Sequence, residues 1–380
     1  NLKELYLSRN ELSNLDGFKN SNLKELNILV LTDNGISDID ALQKVNFTKL
    51  KELYLNSNYF SNLNGFKNSN FNELNILDLS KNEIKNIKGL EQGNFNKLNE
   101  LDLNENNISN ISVFGKVNLP ELITLDLSNN RISNINVEKL NFEKLKYLYL
   151  SFNKIPDISI LEKANLPELN ILTLNGNKIS NINVFEKVNF IKLKELNLGR
   201  NKISDISILE KVNFKELNKL NLSYNKISDI SILEKVNFKE LNILYLSYNL
   251  ITDISILEKV KFEKLENLNL SIIGIRDNIN ILKNVNFKEL KILDLDSNGI
   301  SNIDILKEVK FEKLEKLRLS MNNISDINIL EYVNFNELTN LDLSFNSIFN
   351  INVFQKPIFE KLSYLNISSN KIKRKKISTK

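Results

Sequence analysis

A repeat of 24 residues runs through the 380-residue chain and constrains its fold more than any other feature. In the copy Leu193–Phe214, leucine takes positions one, four, six and seventeen, isoleucine eleven and fourteen, valine twenty and phenylalanine twenty-two. Repeats of this length cannot bury an apolar face alone, so stacked copies form one elongated solenoid rather than several globular domains. Asparagine takes position nine in every copy but one, at Asn10, Asn34, Asn58, Asn82, Asn106, Asn130, Asn153, Asn177, Asn201, Asn225, Asn249, Asn298, Asn322, Asn346 and Asn370.

Each repeated position has a physical task. The Leu196-x-Leu198 alternation predicts a short strand, and stacked copies predict one parallel sheet on the concave side. The amide of the ninth residue is expected to satisfy buried backbone groups of neighbouring turns. Ile203, Ile206, Leu209 and Val212 are expected to point inward along a convex return of one helical or 3₁₀ turn. The fold class is therefore an α/β repeat, a solenoid curved as a horseshoe or arc.

Position twenty-two predicts an aromatic row through the convex core, with leucine as the occasional substitute. Such a row would stack copy upon copy and contribute large buried apolar surfaces. Its members are Phe47, Phe71, Phe95, Phe142, Phe190, Phe214, Phe238, Phe262, Phe287, Phe311, Phe335 and Phe359, with Leu23, Leu119 and Leu166 in the same row.

The consensus resembles that of leucine-rich-repeat proteins, and two groups within them. The segments Ile203–Ser207 and Ile227–Ser231 are similar to repeats of the internalins, a group of bacterial surface proteins. The Asn-x-Ile-x-x-Ile pattern of the copies also resembles repeats of the intracellular regulatory subunit of type-1 protein phosphatase. Both resemblances imply a concave face that grips a protein. The first implies a bacterial cell-surface or secreted location, and the second a cytoplasmic one.

The predicted boundaries are a solenoid of sixteen copies over residues 1–372 and a basic tail over 373–380. Because the first copy begins at its first leucine, we expect residues upstream of Asn1 in the natural protein. One residue is missing around Val137–Lys139 and one is added around Arg276–Asn278. In the longer copy Ile273 replaces the ladder asparagine, so neighbouring backbone groups are expected to need water or another partner. The apolar pair Ile272 and Ile273 could mark a change of curvature, a hinge or a docking notch.

Composition narrows the possible functions. The chain has no cysteine and no histidine, which removes disulfides, thiolate chemistry and the commonest general base. The 51 basic and 47 acidic residues nearly balance, so no strong field for nucleic acid or an anionic membrane arises. No apolar stretch approaches the roughly 20 residues of a spanning helix. We therefore predict no enzyme activity, no catalytic, metal or cofactor site, and no nucleic acid partner.

Variable positions carry the information about a partner, because packing dictates the repeated ones. On the concave strands these are positions three, five and eight. Asp78, Asp102 and Asp126 fall on adjacent strands, which sets their carboxylates roughly 5 Å apart. Their repulsion should raise their pKa values or attract a cation. The predicted partner-binding residues are Tyr54, Asp78, Glu100, Asp102, Glu105, Asp126, Tyr147, Tyr149, Phe152, Tyr224, Tyr245 and Tyr248.

Two functions follow from this interpretation. The first is a non-catalytic recognition module whose concave face binds a protein, and a basic patch on that partner would suit this face. An acidic strip beside exposed aromatic rings suits lysine or arginine through ion pairs and cation–π contacts. The alternative is a structural or cell-surface scaffold, or adhesin, whose repeats mediate self-association or attachment.

Overall fold

The computed structural model describes residues 2–135, 140–355 and 359–372. These residues form two compact units, Asn1–Leu196 and Asn197–Lys380. The shortened segment Val137–Lys139 and the basic tail at 373–380 lie outside the described residues, so the predictions made for them stay predictions.

The first unit alternates three-residue strands with short 3₁₀ helices, as the repeat predicts. Its strands are β1 (Glu4–Tyr6), β2 (Ile28–Val30), β3 (Glu52–Tyr54), β4 (Ile76–Asp78), β5 (Glu100–Asp102), β6 (Thr124–Asp126), β7 (Tyr147–Tyr149) and β8 (Ile171–Thr173). Its 3₁₀ helices are η1 (Asp16–Phe18), η2 (Asp40–Lys44), η3 (Asn64–Phe66), η4 (Lys88–Gln92), η5 (Ser112–Gly115), η6 (Ser159–Lys163) and η7 (Asn183–Glu186).

The second unit repeats the same alternation, and a further strand, β9 (Glu195–Asn197), contains the boundary between the units. Its strands are β10 (Lys219–Asn221), β11 (Ile243–Tyr245), β12 (Asn267–Asn269), β13 (Ile292–Asp294), β14 (Lys316–Arg318), β15 (Asn340–Asp342) and β16 (Tyr364–Asn366). Its 3₁₀ helices are η8 (Ser207–Glu210), η9 (Ser231–Glu234), η10 (Ser255–Glu258), η11 (Arg276–Lys283), η12 (Asp304–Lys307), η13 (Asn328–Tyr332) and η14 (Asn352–Gln355).

Strands pair in parallel, in chain order, from β1 to β8 and again from β10 to β16. Equivalent positions always face each other, as in the pair Leu77 and Leu101. Across the shortened copy Leu125 still pairs with Leu148, and across the lengthened copy Leu268 pairs with Leu293. Both changes in length therefore leave the strand register unchanged.

The core lies between the strands and the 3₁₀ helices. Leu196 and Leu198, at positions four and six, are fully buried, and so are Ile203, Ile206 and Leu209 on the return segment. Because the described internal copies place the same side chains inward, each layer covers the apolar surface of the next. This confirms the predicted inward residues, except that Val212 at position twenty is only partly buried.

The phenylalanine row is confirmed as a buried stack. Phe71 and Phe95 lie nearly parallel, with ring centroids 6.4 Å apart, and Phe66 meets both of them edge to face. Leu119 and Leu166 are buried in the same row, whereas Leu23 and Phe359 are partly exposed.

The asparagine ladder also forms as predicted. Asn106 donates from its amide nitrogen to the carbonyls of Leu79 and Leu103, at 3.0 and 3.1 Å, and its oxygen accepts from the Ile84 N–H at 2.9 Å. One amide thus links consecutive copies while it satisfies buried backbone groups. Among the buried side-chain nitrogen and oxygen atoms of the described residues, only the Oδ1 of Asn82 has no hydrogen-bond partner.

In the irregular copy, the asparagine of the next copy satisfies the backbone N–H groups around the replaced residue. The oxygen of Asn298 accepts from the backbone N–H groups of Ile273, Gly274 and Ile275. The expected need for another partner is met by this side chain. Ile273 itself points into the core and is only 4% exposed, so the predicted docking pair with Ile272 is wrong for Ile273.

Candidate functional site

Positions three and five of each copy are the first and third residues of its strand, and their side chains form the surface that we call the strand face. Their side chains flank a leucine, which is buried between two partly exposed side chains in β3, β4, β6 and β7. In β1 to β8 these sixteen positions include no lysine or arginine. They carry six carboxylates, Glu4, Glu52, Asp78, Glu100, Asp102 and Asp126. The strand face of the first unit is therefore acidic, with its carboxylates concentrated on β3 to β6.

Three of these carboxylates stand side by side, as predicted. Asp78 pairs in register with Asp102, and Asp102 with Asp126. The same column begins with Tyr54 beside Asp78 and continues with Tyr149 beside Asp126. We call Asp78, Asp102, Asp126 and the neighbouring Glu100 the acidic strip.

Each aspartate of the column also has a structural role that the sequence analysis missed. Its Oδ1 accepts the backbone N–H two residues later, at 2.9 Å for Asp78 and Ser80 and at 2.8 Å for Asp102 and Asn104. This is an Asx turn, which ends the strand locally. Asn221 at the same position makes the same bond, so an asparagine preserves the turn without the charge.

The electrostatics of the strip centre on Asp102. The pKa of Asp102 is raised to about 7, mainly by burial; the Asn104 N–H opposes the rise, and the charges of Asp78, Asp126 and Glu100 add to it. Burial also raises the pKa of Asp126. Repulsion was the predicted cause of raised pKa values. It contributes at Asp102, but burial is the larger cause, because the carboxylates lie partly between neighbouring side chains.

Asp102 differs from its neighbours in its hydrogen bonds. The hydroxyl of Ser80 donates to Asp78 at 2.7 Å, whereas Asn104 stands at the equivalent place after Asp102. A hydroxyl donor stabilises the charged form of a carboxylate. The middle carboxylate therefore has the weaker support for its charge.

Aromatic residues border the strip on both sides. Tyr147 and Tyr149 lie on β7 and are partly exposed, which is less than the sequence analysis expected for these two rings. Phe152 is 47% exposed, as predicted, and its ring covers Gly176, where a Cβ atom would clash with it. On the other side Tyr54 donates to Glu52 at 3.0 Å, and burial raises its pKa to about 12.

Glu105 lies at position eight, outside the strand face, and is exposed. Its backbone adopts a left-handed conformation, with φ of 52°. Position eight is left-handed in other copies too, and its N–H donates to a carbonyl of the next copy, as from Glu105 to Ser128. The predicted residues Tyr54 to Phe152 thus come together over β3 to β7, with Glu105 and Phe152 at the edge.

The other three predicted residues lie in the second unit. Tyr224 and Tyr248 occupy position eight of adjacent copies, and their rings stack with centroids 3.9 Å apart. The guanidinium of Arg200 lies 4.7 Å from the centroid of Tyr224. Tyr245 is on β11, where its hydroxyl accepts from Asn267. The aromatic group was predicted, but its stacking and its arginine were not.

Comparison with protein families identifies the repeat. The "Leucine rich repeat" family model matches residues 96–155. The model of "Leucine Rich repeats (2 copies)" matches residues 1–44, 143–187 and 191–235. The chain is built of leucine-rich repeats. A comparison with curated protein sequences finds no match.

Solved structures of leucine-rich-repeat proteins share the fold. An internalin, InlF of Listeria monocytogenes, is 26% identical over 96% of this chain and 86% of its own, with a TM-score of 0.61. A leucine-rich-repeat protein of Leptospira interrogans is 25% identical over 95% of this chain and 94% of its own, with a TM-score of 0.71. A plant peptide hormone receptor, RGFR1 in complex with RGF2, is 21% identical over 91% of this chain and 63% of its own, with a TM-score of 0.58.

Leucine-rich repeats are typical of recognition modules and are generally not catalytic. Within residues 2–135, 140–355 and 359–372, no group of three or more acidic side chains is arranged to hold a metal ion. No helix in the same ranges is long and apolar enough to cross a membrane. The chemistry available at the acidic strip is therefore that of side-chain carboxylates and tyrosines on an open sheet.

Proposed function

We propose that this leucine-rich-repeat chain is a non-catalytic recognition module, and that the strand face of its first unit binds a basic segment of a partner protein. The observation that carries the proposal is the acidic strip. Asp78, Asp102 and Asp126 are consecutive in register, and the strand face around them has no cation in β1 to β8. Such a row is unfavourable by itself and becomes favourable when a cationic partner covers it.

The flanking rings support the same partner. Lysine and arginine side chains combine a charge with an apolar stem, and a ring beside a carboxylate matches both. Tyr149 lies beside Asp126, and Tyr54 lies beside Asp78. The strand face, which the sequence predicts to be the concave side, is also where a partner reaches several copies at once.

A neighbour in the comparisons is consistent with this use of the fold. The plant receptor is described in complex with RGF2. Its identity to this chain is low, so it supports a recognition role for stacked repeats and indicates no ligand here.

The test variant removes the negative charges of the aspartate column and keeps the Asx turns that these residues form. Asp78→Asn, Asp102→Asn and Asp126→Asn are combined in one variant, because Asn197 and Asn221 already form this turn elsewhere. The matched control is the triple variant Asp205→Asn, Asp229→Asn and Asp253→Asn. These exposed aspartates accept the first N–H groups of η8, η9 and η10, on the opposite side of the repeat.

The probe is a twelve-residue peptide of alternating lysine and serine, titrated by calorimetry at two salt concentrations. We expect the strand-face variant to lose at least about tenfold in affinity, since each desolvated charge pair can contribute on the order of 1 kcal/mol or more. The control should bind as the natural chain does. Equal losses in both triple variants would mean that only net charge matters, and the proposed site would be wrong.

A further inference from the structure

A second surface, in the second unit, has the opposite charge and an unusual backbone. Tyr224, Tyr248 and Ile272 follow one another at position eight, all with left-handed φ values between 54° and 56°. Side chains other than glycine and asparagine rarely adopt this conformation, and a β-branched residue is a clear outlier. Hydrogen bonds hold it in place, because the N–H of Tyr248 donates to the carbonyl of Ser271.

The backbone does not require these residues. Asn129, Gly176 and Ser297 hold the same position in other copies, and asparagine and glycine suit a positive φ. The core does not require them either, since Tyr224 is 39% exposed and Tyr248 is 42% exposed. Large rings at a strained, exposed position contribute little to folding, which points to a role at the surface.

The rings form an ordered group. Arg200 covers one face of Tyr224, and Tyr248 stacks on the other face at 3.9 Å with an angle of 12° between the rings. Both faces of Tyr224 are thus covered, and a ligand meets its edge and hydroxyl group beside the Tyr248 ring. Leu250, two residues after Tyr248, is 61% exposed and extends the apolar surface.

The charges around this group are cationic. From residue 197 to residue 274, positions three, five, eight and ten contain no aspartate or glutamate. Arg200, Lys202 and Lys226 lie at positions eight and ten and are exposed. Lys202 and Lys226 make no ion pair within the portion of the chain that the structure describes.

We propose that Arg200, Lys202, Tyr224, Lys226, Tyr248 and Leu250, the cationic–aromatic patch, bind an extended acidic segment of a partner protein that also carries an apolar side chain. Cations and phenol hydroxyls can meet carboxylates, and Leu250 with the ring edges can cover an apolar residue. A basic segment is disfavoured here by like-charge repulsion. The patch is independent of the acidic strip, so either proposal can fail without the other.

The experiment exploits the backbone strain. The full chain is compared with the double variant Tyr224→Asn, Tyr248→Asn, which removes both rings and suits the left-handed backbone. The control is Met321→Asn, Phe345→Asn, which changes two exposed position-eight residues of the same unit in the same way. The probe is a twelve-residue peptide repeating glutamate, glutamate and leucine, and a version with lysine for glutamate serves as its counterpart.

We expect the tyrosine double variant to lose at least about tenfold in affinity for the acidic peptide, with an unchanged or higher melting temperature. The methionine–phenylalanine control should bind normally, and Lys202→Gln with Lys226→Gln should weaken binding and reduce its salt dependence. Equal binding by both double variants would overturn the proposal, as would binding of the lysine peptide to the patch. Sedimentation of the free protein tests whether a second copy of the chain, rather than a partner protein, covers the patch. Self-association abolished by the tyrosine variant would mean that a second copy covers the patch.

Discussion

The side-chain oxygen of Asn298 accepts the backbone N–H of Ile273 at 3.1 Å, and so serves the residue that replaces asparagine in the preceding copy. It also accepts from Gly274 at 3.0 Å and from Ile275 at 3.4 Å, while its nitrogen donates to the carbonyls of Leu270 and Leu295. In a regular copy the asparagine oxygen accepts fewer backbone N–H groups, as at Asn225, whose oxygen accepts from Ile203. Asn298 thus supports two copies of the ladder.

We predict that Asn298→Ala destabilises the chain more than Asn225→Ala, by about 3–5 kcal/mol against about 2–3 kcal/mol, because more buried backbone groups lose their partner. Chemical denaturation measures both values. Hydrogen exchange adds a local readout, since the amides of Ile273 and Gly274 should lose protection only in the Asn298 variant. Equal destabilisation by the two changes would contradict the shared role.

Asp102 should make stability fall as pH rises. Its folded pKa of about 7 lies above the ordinary value of 3.8, so the folded chain binds this proton more tightly than the unfolded chain does. The stabilisation of the folded chain by this bound proton is therefore present below about pH 4 and lost as pH rises through about 7. Asp102→Asn should be more stable than the natural chain at pH 8 by about 1–2 kcal/mol and equal to it at pH 4.

Asp205 provides the control of opposite sign. Hydrogen bonds from the backbone and hydroxyl of Ser207 lower its pKa, so its contribution is present above the unfolded pKa and lost as pH falls. Denaturation curves at pH 4 and pH 8 compare the two asparagine variants, and carbon-detected NMR titration of the carboxyl groups follows each residue directly. An ordinary pKa at Asp102 would remove the predicted gain.

Much of this architecture was predictable because packing repeats. Leu196, Leu198 and the ninth-position asparagines recur since each layer must cover the next, and the register of Asp78, Asp102 and Asp126 followed from that period. Glutamate and lysine also alternate one residue before most copies, with a break where Glu216 is followed by Glu240. The structure pairs them between copies, as Lys313 with Glu289 at 2.6 Å.

Other features could not be predicted from residue types. An aspartate at position five can be a ligand or a turn former, and only the Ser80 and Asn104 N–H bonds reveal the second role. The left-handed backbone at position eight was hidden because Tyr224, Tyr248 and Ile272 disfavour that conformation. Where local preference and observed backbone disagree, the sequence pattern alone gives no signal.

The strain at position eight can be measured away from both proposed sites. Phe345 has φ of 53° and is 57% exposed, so the strain of its left-handed backbone is not offset by burial of its ring. We predict that Phe345→Gly or Phe345→Asn raises the free energy of unfolding by up to about 1 kcal/mol. Thermal and chemical denaturation of the two variants test this. A loss of stability in both would mean that the ring makes stabilising contacts that its exposure does not indicate.

A last prediction concerns how closely two copies approach on the helical side. Gly89, at position sixteen and within η4, lies against the backbone of the preceding copy. A Cβ atom there would overlap the carbonyl of Leu63, which is backbone and cannot rotate away. Gly17 holds the same position in the first copy, and a Cβ atom there would meet nothing within 4 Å. Gly65 holds position sixteen one copy before Gly89, and a Cβ atom there would overlap the carbonyl of Ile39 in the same way, so the close approach recurs between these copies.

We expect Gly89→Ala to destabilise the chain by about 1–3 kcal/mol, as overpacking does, and Gly17→Ala to be neutral or slightly stabilising. Because neighbouring copies stabilise each other, the damage should concentrate around η3 and η4 and be seen as faster amide exchange there. Hydrogen exchange and denaturation of the two alanine variants provide the comparison. If both substitutions have the same effect, backbone contact between these copies is not what selects glycine at residue 89.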